Sequence, residues 1–312
     1  MDAEVRKTGI GGTDISAICG VNPYKSAFGV WLEKTGQAEP VQETPAMRWG
    51  TILEPVVATQ FRQEHPDISQ QMAMNKTTFV SPANPIVVGT PDYLFDIIKE
   101  GLEVKTHGTY AAARLGYGET GSDDVPKHEY LQCEWYMLLL DWDAWHLAAL
   151  LGGQDYREYR MERDSDLDDR LVGLAQAFWD KYVVPVEPPK LDGSDDVREY
   201  LKRRFSTHSD MLPVATYAQQ ELYDEYWQQR QARDTAQNEV DRLENILKFQ
   251  IGDTAGLVFE NGRLTWKQCK DGTKIDWEAV AIAAGATNEQ IAGCTSARPG
   301  VRRFLAKLHK EG

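Results

Sequence analysis

The chain has no cysteine pattern of the kind that builds a zinc centre or a disulfide framework. Cys19, Cys133, Cys269 and Cys294 are its only four cysteines and include no CxxC pair, so neither a thiolate metal site nor a stapled secreted fold is expected. Its six histidines show no HxH or HxxxH spacing. Any metal must be held by oxygen ligands. No run of about 18 apolar residues occurs, which argues against a membrane span. The opening Met-Asp-Ala-Glu-Val-Arg-Lys is not followed by the apolar core of a signal peptide, so a cytoplasmic location is expected. The Gly-Lys-Ser/Thr of a P-loop is also missing.

Positive charge is scarce as well. There are 34 Lys and Arg against 48 Asp and Glu, a formal net charge of -14. Phosphate neutralisation by Lys and Arg supplies much of any affinity for DNA, so global acidity works against loose binding of a polyanion. A locally basic, enclosing channel escapes that objection, because salt screens surface fields beyond about 10 Å. What is present suits a soluble globular protein: 312 residues, 42% hydrophobic and 26% charged, enough for one large domain with an appendage or for two domains.

Two short helices are expected first. Thr13 or Asp14 would cap one that ends at Gly20, and Ser26 one that stops at Gly36. The glycine-rich loop before the first is also a possible phosphate site at a helix amino terminus. Ile52, Leu53, Val56, Val57 and Phe61 mark a helix over 49–65 with Gly50 and Glu54 one turn apart on one side. Strands are read near 69–80, 85–90, 93–98 and 101–106, then a polar loop over 116–127, a helix over 128–141, strands over 145–151 and 156–161, and an amphipathic helix over 167–181. This order implies an α/β (α+β) core around a mixed sheet. The Pro-rich connector after Val184 is the candidate boundary, giving domains 1–190 and 191–312. The second carries a long polar helix over 217–249, an Asn-Gly hairpin over 256–268, a small helix and a basic, strand-like end at Arg298-Pro-Gly-Val-Arg-Arg-Phe-Leu.

Residues 89–105, Gly-Thr-Pro-Asp-Tyr-Leu-Phe-Asp-Ile-Ile-Lys-Glu-Gly-Leu-Glu-Val-Lys, carry the most chemistry. Strand side chains alternate faces, so Glu103 and Lys105 share one surface while Leu102 and Val104 pack on the other. Asp92 can add a second carboxylate for a hard divalent cation, and a lysine beside that cation can hold or help deprotonate an attacking water. On any strand surface, Glu-x-Lys alone is usually a pair of solvated charges. Strand arithmetic also leaves a rival. A two-residue turn at Lys99-Glu100 would set Asp96 opposite Glu103 and leave Asp92 about 13 Å away along the strand. A wider hairpin, or a bulge near Tyr93, would bring Asp92 in instead.

Four blocks together resemble the YqaJ-type viral recombinases, relatives of the lambda-type phage exonuclease in the PD-(D/E)xK nuclease superfamily. They are Arg6 with Gly9-Ile-Gly-Gly-Thr-Asp14, Gly50-Thr-Ile-Leu-Glu54, Gly89-Thr-Pro-Asp92 with Glu103-Val-Lys105, and Tyr130-Leu-Gln132. The resemblance implies a PD-(D/E)xK core with a helical and hairpin appendage, acting as a metal-dependent exonuclease, 5′-to-3′ on linear duplex DNA in phage-type recombination. It implies two Mg²⁺ or Mn²⁺ ions held by Asp92, Glu103 and the Val104 carbonyl, with Glu54 as a further ligand or water contact. Lys105 would serve the attacking water and Gln132 would organise water or phosphate. Arg6 and Thr13 would receive a terminal 5′-phosphate. A ring-shaped homo-oligomer, a single-strand annealing partner and a phage or prophage origin in a bacterial host follow from the same resemblance.

Two positions depart from the pattern. Glu129 stands where a tyrosine is usual three residues before Gln132, which weakens Tyr130 as a site residue, and Thr13 replaces a serine. Trp31, Trp49, Trp135 and Trp179 are assigned to packing, and His107 and His128 are given no role. Competing readings are an endonuclease or single-strand nuclease on the same core, and a non-catalytic recombination scaffold.

Overall fold

A computed structural model describes residues 2–40, 43–260, 262–268 and 277–294. The chain divides into two compact units, the first ending at Phe205. The basic end at 298–305 lies outside the described residues.

The first unit runs α1 (Asp2–Lys7), α2 (Gly12–Ile18), α3 (Ala27–Lys34), α4 (Pro45–Glu64), β1 (Met72–Met74), β2 (Phe79–Val80), β3 (Val88–Gly89), β4 (Tyr93–Phe95) and β5 (Glu100–His107). It continues through α5 (Thr109–Leu115), α6 (Lys127–Leu140), β6 (Ala144–Leu151), β7 (Asp155–Glu162), α7 (Ser165–Phe178) and α8 (Asp195–Arg204). Five strands form a mixed sheet in the order β1-β4-β5-β6-β7, with only β5 and β6 parallel. Parallel neighbours need a long crossover, supplied here by α5 and α6.

Strand β6 is buried on both faces and reads Ala-Trp-His-Leu-Ala-Ala-Leu-Leu, as a central parallel strand should. One face of the sheet packs on α4, where Val57, Ala58 and Phe61 meet Phe95, Leu102, Val104 and Ala148. The other packs on α6 and the helices around it, through Trp135, Met137, Trp145 and Leu147. Each large apolar side chain so enclosed contributes roughly 1.5–3 kcal/mol. The alternation expected along β5 is realised: Leu102 and Val104 enter the α4 layer, and Glu103 and Lys105 face α6.

Several local expectations are corrected. The helix at 12–18 is capped by Gly11, not by Thr13 or Asp14. Asp14 sits in the first turn and accepts the Gly11 N–H at 3.0 Å. Ser26 does cap α3, accepting from Gly29 N. The stretch 69–80 is a 3-10 turn and two short strands rather than one strand. Helices α1, α5 and α8 were not anticipated, although α8 does carry Val197, Tyr200 and Leu201 at helical spacing within a strongly charged segment. Helix α8 packs on α3, where Asp196 accepts from Ser26 N and Oγ at 3.0 and 2.7 Å and Val197 is buried. Residues past the Pro-rich connector therefore complete the first unit.

The second unit holds α9 (Tyr217–Ile251), β8 (Gly256–Phe259), β9 (Gly262–Thr265), α10 (Trp277–Ala283) and α11 (Asn288–Gly293). Helix α9 is 35 residues long, roughly 52 Å at 1.5 Å per residue. Thr216 caps it, accepting from Gln219 N. The hairpin pairs Phe259 with Gly262. Among the described residues no helix is long and apolar enough to cross a membrane.

Candidate active site

The β4–β5 hairpin decides which aspartate reaches Glu103. Tyr93 pairs with Leu102 and Phe95 with Glu100, so the turn spans 96–99. Lys99 closes it with φ 55 and an N–H to the Phe95 carbonyl at 2.8 Å. This four-residue turn brings Asp92 level with Glu103 and leaves Asp96 at the exposed tip. Asp92 Oδ2 accepts the Val104 N–H at 2.9 Å. A strand residue directs its N–H and C=O to the same side, so the Val104 carbonyl also faces Asp92, beyond the last β4 pairing.

Asp92, Glu103, Val104 and Lys105 line one cleft of 690 Å³ together with Glu54 and Gly50 of α4 and Tyr24 and His107. Glu103 Oε1 accepts from Lys105 Nζ at 2.5 Å and from Gln132 Nε2 at 2.6 Å. Gln132 Oε1 in turn accepts from Lys105 at 3.1 Å. Gln132 is buried, and its Nε2 also donates to Tyr136 Oη at 3.1 Å. The sequence-predicted catalytic residues thus converge. Tyr130 is half-buried and packs on the apolar core of the unit.

Burial pushes the Glu103 carboxyl up to about 8, reinforced by the neighbouring Asp92 carboxylate and opposed by Lys105. Asp92 is raised by burial despite Lys105 and the Val104 N–H. Glu54 is raised by burial and by Asp92. Burial works against charge on Lys105, but Glu103, Glu129 and Asp92 outweigh it and hold the amine in its ammonium form. Two of its three donors go to Glu103 and Gln132, and a third remains to reach into the cleft.

Among the described residues no three His, Cys, Asp or Glu side chains converge as a ready-made metal cage. The fit to a cation rests on fewer protein donors. Glu103 Oε2 is buried with no hydrogen-bond partner, and Asp92 and the Val104 carbonyl lie on the adjacent edge. Mg²⁺ binds through one or two carboxylates and keeps several waters, so this oxygen-only set suits it.

Arg6 and Thr13 are placed apart from that cleft, around a cavity of 130 Å³ that Lys25, Lys34, Thr90 and Tyr136 also line. Both are exposed. Arg6 still lies close enough to favour the Asp92 carboxylate. Buried Asp14 joins Lys25 at 2.7 Å and Lys34 at 2.6 Å; burial opposes its charge, but the two ammonium groups hold its carboxyl well below the usual range. The cavity abuts the catalytic group because α2 closes tightly on α6. A Cβ on Gly12 would stand 2.9 Å from Gln132 Cγ, so only glycine permits that approach.

Residues assigned no chemistry prove to surround the site. Glu129 is fully buried one turn before Gln132. It accepts from Tyr117 Oη, meets His107 Nε2 at 2.9 Å, and lies 3.6 Å from His128 Nε2. Burial opposes its charge, yet His107, Lys105 and Tyr117 keep its carboxyl below the ordinary value. The available signal was an acid on the apolar face of a helix, three residues from Gln132 and seven from Tyr136. Trp31 and Trp135 are core, as expected, and Trp179 packs on it, whereas Trp49 is 58% exposed.

A mixed α/β fold that gathers two carboxylates and a lysine on one strand-edge cleft defines the class of protein. Residues 3–141 match the family model of the YqaJ-like viral recombinase domain. It is 29% identical over 267 residues to the uncharacterized protein YqaJ of Bacillus subtilis, covering 84% of this chain and 81% of that protein. Among solved structures it is similar to an alkaline exonuclease from Laribacter hongkongensis at 16% identity and a TM-score of 0.46, covering 65% of this chain and 96% of that one. A phage-related exonuclease from Haemophilus somnus matches at 14% identity and a TM-score of 0.41, covering 57% and 96%.

Proposed function

We propose that the protein is a divalent-metal-dependent DNA exonuclease that acts from the 5′ end of linear duplex. The observation that carries this reading is the unpartnered, buried Glu103 Oε2 beside Asp92 and the Lys105 ammonium. Asp92, Glu103 and the Val104 carbonyl would hold the cation, with Glu54 reaching it directly or through water. Bound there, one or two cations would supply Lewis-acid stabilisation of the charge that develops on the phosphate.

The protein's own groups do the positioning. Lys105 stays an ammonium and donates, so it holds the attacking water or a phosphate oxygen rather than removing a proton. Gln132 fixes both Lys105 and Glu103. Arg6 and Thr13 receive the terminal phosphate, and the charge that Lys25 and Lys34 bring to that cavity is offset by Asp14 and Glu33, which leaves Arg6 as the surplus cation there. A ring of subunits enclosing duplex, handing the product strand to an annealing protein, belongs to the same reading; a monomer by light scattering would contradict the ring.

Three substrates test the assignment in Mg²⁺: 5′-phosphorylated linear duplex, the same DNA dephosphorylated, and closed circular duplex. Rapid loss of the first, slower loss of the second and survival of the third are expected, with Arg6→Ala nearly blind to the terminal phosphate. Cutting of the circle would make the protein an endonuclease, and no degradation at all would favour a scaffold.

A further inference from the structure

Tyr24 combines two properties that rarely meet. Its ring is 64% exposed, yet its surroundings fix it in place. Asn22 Oδ1 accepts both the Tyr24 and Lys25 N–H groups, at 2.8 and 3.1 Å. Asn22 Nδ2 is itself tied to Ser16 Oγ at 2.9 Å, so the turn is anchored to α2. From behind, the His128 ring meets the Tyr24 ring edge-on, with centroids 5.9 Å apart and planes at 71°. His128 is buried and lies 3.6 Å from the wholly buried Glu129. The bracing therefore reaches into the core, where burying a carboxylate is costly unless it is paired.

This braced ring lines the cleft that holds Asp92, Glu103 and Lys105. It also lines a separate groove of 450 Å³ bounded by Asn22, Ser26 and the amino end of α8. An exposed aromatic held rigidly between a phosphodiester site and an open groove has the form of a stacking surface. Every nucleobase presents a π-face, so such a surface accepts any sequence.

We infer that Tyr24 stacks on a nucleobase of the bound strand next to the scissile phosphate, and that His128 and Glu129 act as positioning residues for that ring. The inference rests on the nuclease reading and adds a substrate contact to it. The T-shaped contact with histidine leaves at least one face of the tyrosine ring for the base, and the lysine and carboxylates of the cleft take the phosphate.

The test uses the full-length protein on 5′-phosphorylated linear duplexes that carry a single abasic nucleotide at successive positions from the end. Wild type should slow at one position by about tenfold, the scale of one base–aromatic stack. Tyr24→Leu should be slower on intact DNA by a similar factor and show no further loss at that position, whereas Tyr24→Phe should behave as wild type. A second readout is 2-aminopurine at the same position, bound in Ca²⁺. Its fluorescence should be quenched by wild type and by Tyr24→Phe, and not by Tyr24→Leu or, for want of bracing, by Glu129→Gln. If Tyr24→Leu keeps the full abasic penalty, or quenches like wild type, the stacking role is overturned while the nuclease reading stands. If wild type degrades none of these duplexes, it is the nuclease reading that fails.

Discussion

Gln132 donates Nε2 to Glu103 Oε1 at 2.6 Å and accepts Lys105 Nζ on its own Oε1 at 3.1 Å. One buried amide thereby sets the angle between an acid and an amine that alternation along β5 alone would leave loose. The amide in turn is fixed by Tyr136, on the next turn of α6.

Gln132→Ala should therefore leave the protein folded but disorder Glu103 and Lys105. Groups that orient a metal ligand are typically worth 10–100-fold in affinity or activity, so kcat should fall by about that factor. KM for linear duplex should change less than kcat, because Arg6 keeps its place although Gln132 also packs on Gly12 and Tyr136 at the wall of the phosphate cavity. Steady-state rates over a range of DNA concentrations separate the two effects.

Cation affinity should depend steeply on pH. Burial raises both Glu103, to about 8, and Asp92, so below that range the pair retains a proton that a cation must displace. Mn²⁺ binding, followed by calorimetry, should tighten about tenfold per pH unit from 6 toward 8 and then level off. Glu103→Gln should flatten the profile and weaken binding throughout. An affinity constant between pH 6 and 9 would be inconsistent with two buried acids at the site.

A second buried acid should affect stability rather than chemistry. Glu134 on α6 accepts from Asp164 N at 2.9 Å, while its Oε2 and Asp168 Oδ1 are both buried without partners. Burial raises its carboxyl to about 7, opposed by the Asp164 N–H and reinforced by the Asp168 and Asp164 carboxylates. An acid raised on folding stabilises fully below its unfolded pKa, near 4.3, and that contribution is lost as pH rises through the folded value. The thermal midpoint of the metal-free protein should thus fall by a few degrees between pH 5 and pH 8, and Glu134→Gln should remove part of that fall, the raised Glu103 and Asp92 carboxyls accounting for the rest. Melting curves of the two proteins across this range provide the check.

Much of the site was legible because its order along β5 follows from strand geometry. Glu103, Lys105, Leu102 and Val104 take the faces that period two demands. The choice between Asp92 and Asp96 was not legible, since hairpin register depends on turn length, and nothing in Asp96-Ile-Ile-Lys99 announces a four-residue turn closed by a left-handed lysine. Helix α5 stayed hidden because none of its seven residues is buried, so no apolar period marks it. Glu129 was noticed only as a departure from a motif. Its meaning depends on His107 and Tyr117, which come from β5 and the loop after α5 and meet it only in the fold, beside its chain neighbour His128. Trp49 was assigned to packing by composition, but it lies on the outer face of α4, away from Val57 and Phe61.

The most direct test of the central claim measures acid-soluble nucleotide released from 5′-phosphorylated linear duplex in Mg²⁺ by wild type and by Glu103→Gln. The substitution keeps shape and removes one charge. Wild type should release nucleotide steadily and the variant should lose about 1,000-fold, on the scale of removing a group that stabilises transition-state charge, with the folded state intact by circular dichroism. A folded Glu103→Gln protein that digests DNA at the wild-type rate would contradict that claim.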